Sequence, residues 1–216
     1  AKENNPPEVP VAYDELADQL NERLVGSFAC HFYPNDYFAG TYFDTCCNGN
    51  AARALYYAWQ SILSFEDGEL QVNLLLNRSS PWVDVESYIP YTGRVDLRIK
   101  MPCRVVKIRM NDWIDKKKTR CRINNVNKAT TWDGNYLVLK GAKPADIISV
   151  EFPISEKTVT LKSFGHEYQA VFKGSTCVDI EPKGHYYPLF LREHYRSNRP
   201  RFVKVRRFVC DNPIRW

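Results

Sequence analysis

The spacing of hydrophobic residues along the chain changes once, near residue 67. Before this point apolar residues recur every three or four positions in two stretches, residues 13–26 and residues 50–63. After it they alternate with polar residues in many short runs separated by Gly, Pro and Asn. The first spacing is typical of an amphipathic helix, and alternation is typical of a half-buried strand. The pattern therefore predicts a short helical segment followed by an all-β region.

Each of the two predicted helices has one apolar stripe. Leu16, Leu20 and Leu24 form the first stripe, behind Asp14 as a predicted N-cap. The second stripe consists of Ala51, Leu55, Ala58 and Ile62, with Trp59 beside them. Two short helices cannot enclose a core by themselves, so they are either the end of a larger helical domain or a hairpin against the β region. An uncovered apolar face also favours self-association of the isolated chain.

The β region, residues 67–216, is predicted to form an antiparallel β-sandwich. Residues 69–76 and 94–100 show clear alternation. Further β-rich runs occur at 104–110, 136–140, 147–152, 158–161, 168–172, 176–180 and 201–209. Many short strands joined by turn residues are typical of two stacked antiparallel sheets.

Charge is unevenly distributed along the chain. The formal net charge is +5, but residues 1–66 contain three Lys/Arg and nine Asp/Glu, whereas residues 183–216 contain nine Lys/Arg and two Asp/Glu. Aromatic residues between basic ones in the last segment are compatible with nucleic-acid binding, but no recognition motif accompanies them. No apolar run is long enough to cross a membrane. We therefore expect neither nucleic acid nor a membrane as a partner.

The seven cysteines include an adjacent pair, Cys46 and Cys47. An odd number of cysteines in a chain of this length is not a disulfide framework, so we expect mostly free thiols. The pair stands just before the second predicted helix, with Asn48 or Asn50 as its N-cap, and a helix N-terminus favours a thiolate. Two thiolates can share a soft metal such as Zn²⁺, which needs about two further ligands. The nearby candidates for these are Cys30, His31 and Asp44. The alternative is a pair of buried structural thiols.

Several motifs follow one another in a recognisable order: TCCNGNAARALYYAW, LQVNLLLNRSS, VDVESYIPYTGRVDLRI, VVKIRMNDWI, RCRINNVN and GNYLVLKGAKPADIISVEFPI. In this order they resemble the C-terminal part of glycoside hydrolase family 127, the β-L-arabinofuranosidase family. The later stretch FKGSTCVDIEPKGHYYPLFLREHYR resembles a branch of the same superfamily whose members mostly have no assigned substrate. The chain also begins without Met in a Pro-rich stretch that has no signal-peptide pattern, so we expect a fragment or a processed product.

The resemblance implies a parent protein with a long helical (α/α)6 barrel followed by β-sandwich domains. Residues 1–66 would then be the end of the barrel, and residues 67–216 a sandwich. It also implies a retaining glycosidase acting on a carbohydrate substrate, in which Cys46 is the nucleophile and a zinc ligand and Cys47 is a second zinc ligand. The family's other zinc ligands, a Glu and a Cys, and its acid/base Glu lie further upstream and have no counterpart in the 45 residues before Cys46.

This chain departs from the family pattern after the cysteine pair, and it has carboxylates near the pair that offer a substitute for the family's acid/base. Many relatives have two prolines after the cysteine pair, where this chain has Asn48 and Gly49. Asp36 and Asp44 are nearby carboxylates that offer a substitute acid/base, although we expect them to cap turns or helices instead.

The competing hypothesis is a β-sandwich that binds carbohydrate on exposed aromatic side chains or acts as a scaffold, without chemistry of its own. The candidate aromatics are Trp82, Trp113, Trp132, Tyr88, Tyr91 and Tyr136. In a sandwich such residues more often pack in the core or at its edge.

We expect the 216-residue chain by itself to have little or no glycosidase activity. Without the upstream acid/base the leaving group is not protonated, and without the other ligands zinc is weakly held. The measurement is hydrolysis of an aryl β-L-arabinofuranoside by the purified chain. Turnover comparable to that of a full-length relative would contradict this expectation.

Overall fold

The computed structural model describes residues 28–34, 36–43 and 45–182, with residues 29–33 and 36–43 described by their backbone. The predicted helix at 13–26 and the predicted strand at 201–209 lie outside these residues. The described elements, in chain order, are β1 (Ala29–Tyr33), β2 (Asp36–Phe43), α1 (Thr45–Gln60), β3 (Leu63–Glu66), β4 (Glu69–Val72), β5 (Arg78–Ser79), β6 (Val83–Ser87), β7 (Arg94–Ile99), β8 (Cys103–Arg109), β9 (Arg120–Ile123), β10 (Val126–Lys128), β11 (Thr131–Asp133), β12 (Tyr136–Ala142), β13 (Ile147–Glu151), β14 (Glu156–Ser163), β15 (His166–Lys173) and β16 (Thr176–Glu181).

Two sheets form the body of the β region. One has five strands in the order β11-β12-β8-β4-β3, and the other has six in the order β10-β9-β13-β7-β6-β5. Every pair in them is antiparallel except β4 with β8, which run parallel. The predicted fold class, a mainly antiparallel β-sandwich after a short helical segment, is confirmed.

A single hydrophobic core joins the two sheets. Leu70, Ile108 and Leu137 enter it from the five-stranded sheet, and Leu97 and Ile148 enter it from the six-stranded sheet. Alternation explains these positions because successive side chains of a strand point to opposite faces. In β4, for example, Leu70 is buried and its neighbours are half-buried. The core therefore takes one face of each sheet.

One charged residue is buried with these strands. Asp96 of β7 is only 7% exposed, and its two carboxylate oxygens accept hydrogen bonds from Arg94 Nε at 3.0 Å and Arg94 Nη2 at 2.6 Å. The hydrogen bond to Asp96 raises the pKa of Arg94. The bidentate contact satisfies a carboxylate that would otherwise be costly to bury.

The junction between α1 and the first sheet differs in detail from the prediction. The helix ends at Gln60, and Ile62, predicted on the helical stripe, is instead buried in the sandwich core together with Leu63. The predicted boundary between residues 66 and 67 falls in the turn of the β3–β4 hairpin. The prediction assigned the residues of strand β3 to the helical segment, but this strand pairs within the sandwich. For the rest of residues 1–66, the assignment to a helical domain stays a prediction.

A third, three-stranded sheet in the order β14-β15-β16 has a small core of its own, formed by Tyr168, Ala170 and Ile180. Trp113, in the loop after β8, links this sheet to the sandwich. Its indole Nε1 donates a hydrogen bond to Ser175 Oγ at 2.7 Å, and its ring meets the edge of Phe152 with centroids 5.7 Å apart. The β15–β16 turn thus packs directly against an aromatic side chain of the larger core.

Gly174 in that turn leaves no room for a side chain. A Cβ added there would lie 2.8 Å from the Trp113 ring, and the residue has a φ of +61°. We expect Gly174→Ala to lower the free energy of unfolding by about 1–3 kcal/mol more than Gly134→Ala, because overpacking adds to the conformational strain. Gly134 is a matched control, since its φ is +54° and nothing lies within 4 Å of an added Cβ. Urea-induced unfolding measures both variants, and equal losses would show that the contact with Trp113 is unimportant.

Candidate active site

The cysteine pair lies inside the first turn of α1. The helix begins at Thr45, so Cys46 and Cys47 are its second and third residues. The expectation that Asn48 or Asn50 caps the helix is wrong, because both lie within it. Their side chains bind elsewhere: Asn48 Oδ1 accepts a hydrogen bond from the Phe28 N–H at 2.8 Å, and Asn50 Oδ1 accepts one from Arg53.

The two thiols lie side by side. Cys46 Sγ and Cys47 Sγ are 3.7 Å apart, Cys46 is exposed and Cys47 is half-buried. The unbonded N–H groups and the dipole of a helix start attract negative charge, which is the kind of environment in which thiolates form. The pair therefore has the position of a nucleophile or of a metal-binding group.

The other described cysteines have a different environment. Cys103 and Cys121 are buried in the sandwich core, and Cys177 is half-buried in the three-stranded sheet. Burial raises the pKa of the Cys103 thiol and raises that of Cys121 to about 11. These two core thiols are protonated at neutral pH and pack as small apolar groups.

The geometry of the pair fits two positions of a zinc site. Two sulfurs bound at about 2.3 Å to a tetrahedral zinc are about 3.8 Å apart, and the observed separation is 3.7 Å. Among the residues that the structure describes, no group of three or more His, Cys, Asp or Glu side chains is placed to hold a metal. The predicted further ligands Cys30, His31 and Asp44, and the carboxyl group of Asp36, lie outside the described side chains.

A β-hairpin that the sequence analysis did not predict leads into the pair. Strands β1 and β2 are antiparallel, with Ala29 opposite Phe43, two residues before Thr45. Because Phe28 precedes β1, its hydrogen bond to Asn48 ties the start of the hairpin to the first turn of α1. The Pro-Asn-Asp sequence at 34–36, between aromatic residues, was the sequence signal for this hairpin.

Arg78 of β5 holds the other end of the helix. Its Nη1 donates hydrogen bonds to the carbonyl oxygens of Trp59 at 2.5 Å and Gln60 at 2.8 Å, and its guanidinium lies 4.3 Å from the Trp59 ring centroid. The last carbonyls of a helix have no intrahelical partner, so a cation is favourable there. The sequence analysis did not identify Arg78, since nothing local to residue 78 indicates a helix end eighteen residues earlier.

The aromatic residues proposed as a carbohydrate platform are all half-buried. Trp82 stacks on Phe65 with ring centroids 5.5 Å apart, Lys116 lies 5.5 Å from the Trp132 ring, and Arg94 lies 5.1 Å from the Tyr88 ring. Trp82, Trp113 and Trp132 also pack against the core. The aromatic residues of the described part that are exposed by half or more are Tyr56, Tyr57, Trp59 and Phe164.

An open cavity of about 710 Å³ is lined by Arg78 of β5, by residues of β6 and by residues next to these strands. Its walls include Asn77, Glu86 and Tyr88, which are side chains of the kind that bind sugar hydroxyls.

In the described part of the chain, no helix is long and apolar enough to cross a bilayer.

Comparison with solved structures identifies the fold. The chain is similar to a GH127 β-L-arabinofuranosidase from Geobacillus stearothermophilus T6, with 15% identity and a TM-score of 0.52 over 78% of this chain and 27% of that one. It is also similar to another GH127 β-arabinofuranosidase, with 18% identity and a TM-score of 0.50 over 61% of this chain and 25% of that one. The chain thus spans about a quarter of the length of these proteins. No protein-family model matches it, and neither does any curated protein. The resemblance drawn from the sequence motifs is confirmed as a likeness of fold.

We expect iodoacetamide to alkylate Cys46 much faster than Cys121 in the native protein. Cys46 is exposed, whereas burial excludes the reagent from Cys121 and raises its pKa to about 11, so Cys121 should react more slowly by at least about a hundredfold at neutral pH. Time-resolved peptide mapping gives the two rates, and a denatured sample is the control in which both cysteines react. If Cys46 and Cys121 were alkylated at comparable rates in the native protein, the assignment of an exposed and a buried thiol would be contradicted.

Proposed function

We propose that this chain is part of a retaining glycoside hydrolase that acts on β-L-arabinofuranosides or closely related furanosides, with Cys46 as its nucleophile. The observation that supports this most directly is the pair of adjacent thiols, one of them exposed, in the first turn of a helix that leads straight into a sandwich of the GH127 type. The activity and the substrate belong to the intact protein.

In the proposed first step the Cys46 thiolate attacks the anomeric carbon of the sugar. A carbon–sulfur bond forms, the carbon–oxygen bond to the leaving group breaks, and the departing oxygen takes a proton from the acid/base. In the second step water attacks the same carbon and gives a proton to the acid/base, while the carbon–sulfur bond breaks and the thiolate is restored. Two displacements at one carbon retain the anomeric configuration.

Cys46 and Cys47 are the residues that would hold zinc. Bound there, zinc would supply the positive charge that keeps both sulfurs deprotonated at neutral pH. The proposal assigns Cys47 to metal binding only, and Cys46 to metal binding and attack. Its support in this chain is the 3.7 Å separation of the two sulfurs. We propose no residue of this chain as the acid/base, because the resemblance puts that Glu upstream of the pair.

The test combines metal analysis with a sugar-directed electrophile. The purified chain, with zinc added, is treated with an epoxide of β-L-arabinofuranose configuration and with its D-configured isomer, and the labelled residue is found by peptide mapping. We expect labelling at Cys46 with a preference of about tenfold for the L isomer. Bound zinc should fall in both Cys46→Ser and Cys47→Ser but not in Cys177→Ser, a matched change of a half-buried thiol in the three-stranded sheet.

Each arm of this test can contradict a different part of the proposal. Equal labelling by the two isomers would argue against sugar recognition at the thiols, and zinc that is unchanged in both variants would argue against the metal assignment. The alternative, a non-catalytic carbohydrate-binding module, is supported by the open cavity lined by Arg78, Glu86 and Tyr88. It predicts sugar binding that survives Cys46→Ser and is lost in Glu86→Ala.

A further inference from the structure

We propose that Asn48 is the positioning residue of the thiol pair. By accepting the Phe28 N–H, its side-chain oxygen holds the first turn of α1 so that the sulfurs of Cys46 and Cys47 stay close enough to share one metal ion. The inference rests on the proposed function, because it concerns the same two thiols and the same metal.

Most of the helix is exposed along its length. From Gly49 to Gln60 every residue is exposed except Ala51, which is half-buried, and no residue of α1 is buried. Leu55 is 61% exposed and Trp59 is 50% exposed. Between described residues, two contacts lie at its ends: Arg78 binds its last carbonyls, and Asn48 in its first turn binds Phe28.

The first turn is the part of a helix that most needs such a contact. Its N–H groups have no acceptor within the helix, and helix ends open most easily. Opening this turn would change the backbone angles between Cys46 and Cys47 and separate their sulfurs. The turn would then have to form again when a metal ion binds. The free energy needed to form it would weaken the binding of the metal ion.

Asn48 is placed to prevent this opening. It follows Cys47 directly, it is half-buried, and its Oδ1 lies 2.8 Å from a backbone nitrogen twenty residues away. The bond therefore connects the turn to a different part of the chain. Asn50, two residues later, bonds instead to Arg53 of the same helix and makes no such connection. This difference makes Asn50 the natural control.

The experiment titrates the purified chain with Cd²⁺ and follows the cadmium–thiolate charge-transfer absorption. We expect Asn48→Leu, which removes the acceptor, to weaken Cd²⁺ binding by about fivefold, the worth of one ordinary hydrogen bond. The absorption per bound ion should also fall, because fewer ions would contact both thiolates. Asn48→Asp keeps an acceptor oxygen and should bind within about twofold of the wild type. Asn50→Leu should bind Cd²⁺ with the same affinity and the same absorption per bound ion as the wild type.

The outcomes separate this inference from the proposed function. If the wild type binds Cd²⁺ through the pair but Asn48→Leu matches Asn50→Leu, the positioning role is overturned and the metal site stands. If the wild type gives no thiolate absorption, or Cys46→Ser leaves it intact, the metal site fails and the inference fails with it. Because α1 contributes no buried residue, urea-induced unfolding of all three variants should match the wild type, and a variant that does not fold would overturn the inference.

Discussion

The burial of one face of each large sheet is the constraint on which the rest of the structure depends. Leu97, Ile108 and Ile148 are completely or almost completely removed from water in a single core, and burial of such side chains is worth about 1.5–3 kcal/mol each. This core determines the register of the strands, and therefore the position of β5 at the edge of its sheet. Arg78 of β5 in turn holds the end of α1. The place of the thiol pair thus follows from the packing of a core in which it takes no part.

The proposed chemistry and the buried core of this chain lie in different parts of it. Buried thiols such as Cys121 are protonated and apolar in character, whereas Cys46 is exposed and Cys47 half-buried in the first turn of a helix, where negative charge is favoured. The helix that carries them has an apolar stripe that is exposed, with Leu55 and Trp59 among its residues. An apolar stripe of this kind needs a partner surface to cover it, which supports the proposal that the chain works as part of a larger enzyme.

Regular alternation could be recognised from the sequence, and short or polar strands could not. Strand β7 at Arg94–Ile99 was predicted because its apolar residues recur with a period of two, and strand β12 at Tyr136–Ala142 was predicted from the β-rich run at 136–140. Strand β10 consists of three exposed residues, and β5 of only two, so neither has a pattern of its own. The parallel pairing of β4 with β8 was also beyond the sequence, because strand direction in a sheet depends on long connections.

The sequence by itself determined the mainly β fold class, the helix after the cysteine pair and the likeness to the GH127 fold, since periodicity, turn residues and motif order are local properties. Only the tertiary structure decided how the pair is held. The contact between Phe28 and Asn48 and the contact between Arg78 and Gln60 each join residues about twenty positions apart. Such contacts depend on how the hairpin and the sheet edge come together in space, and folding of the whole core determines that arrangement.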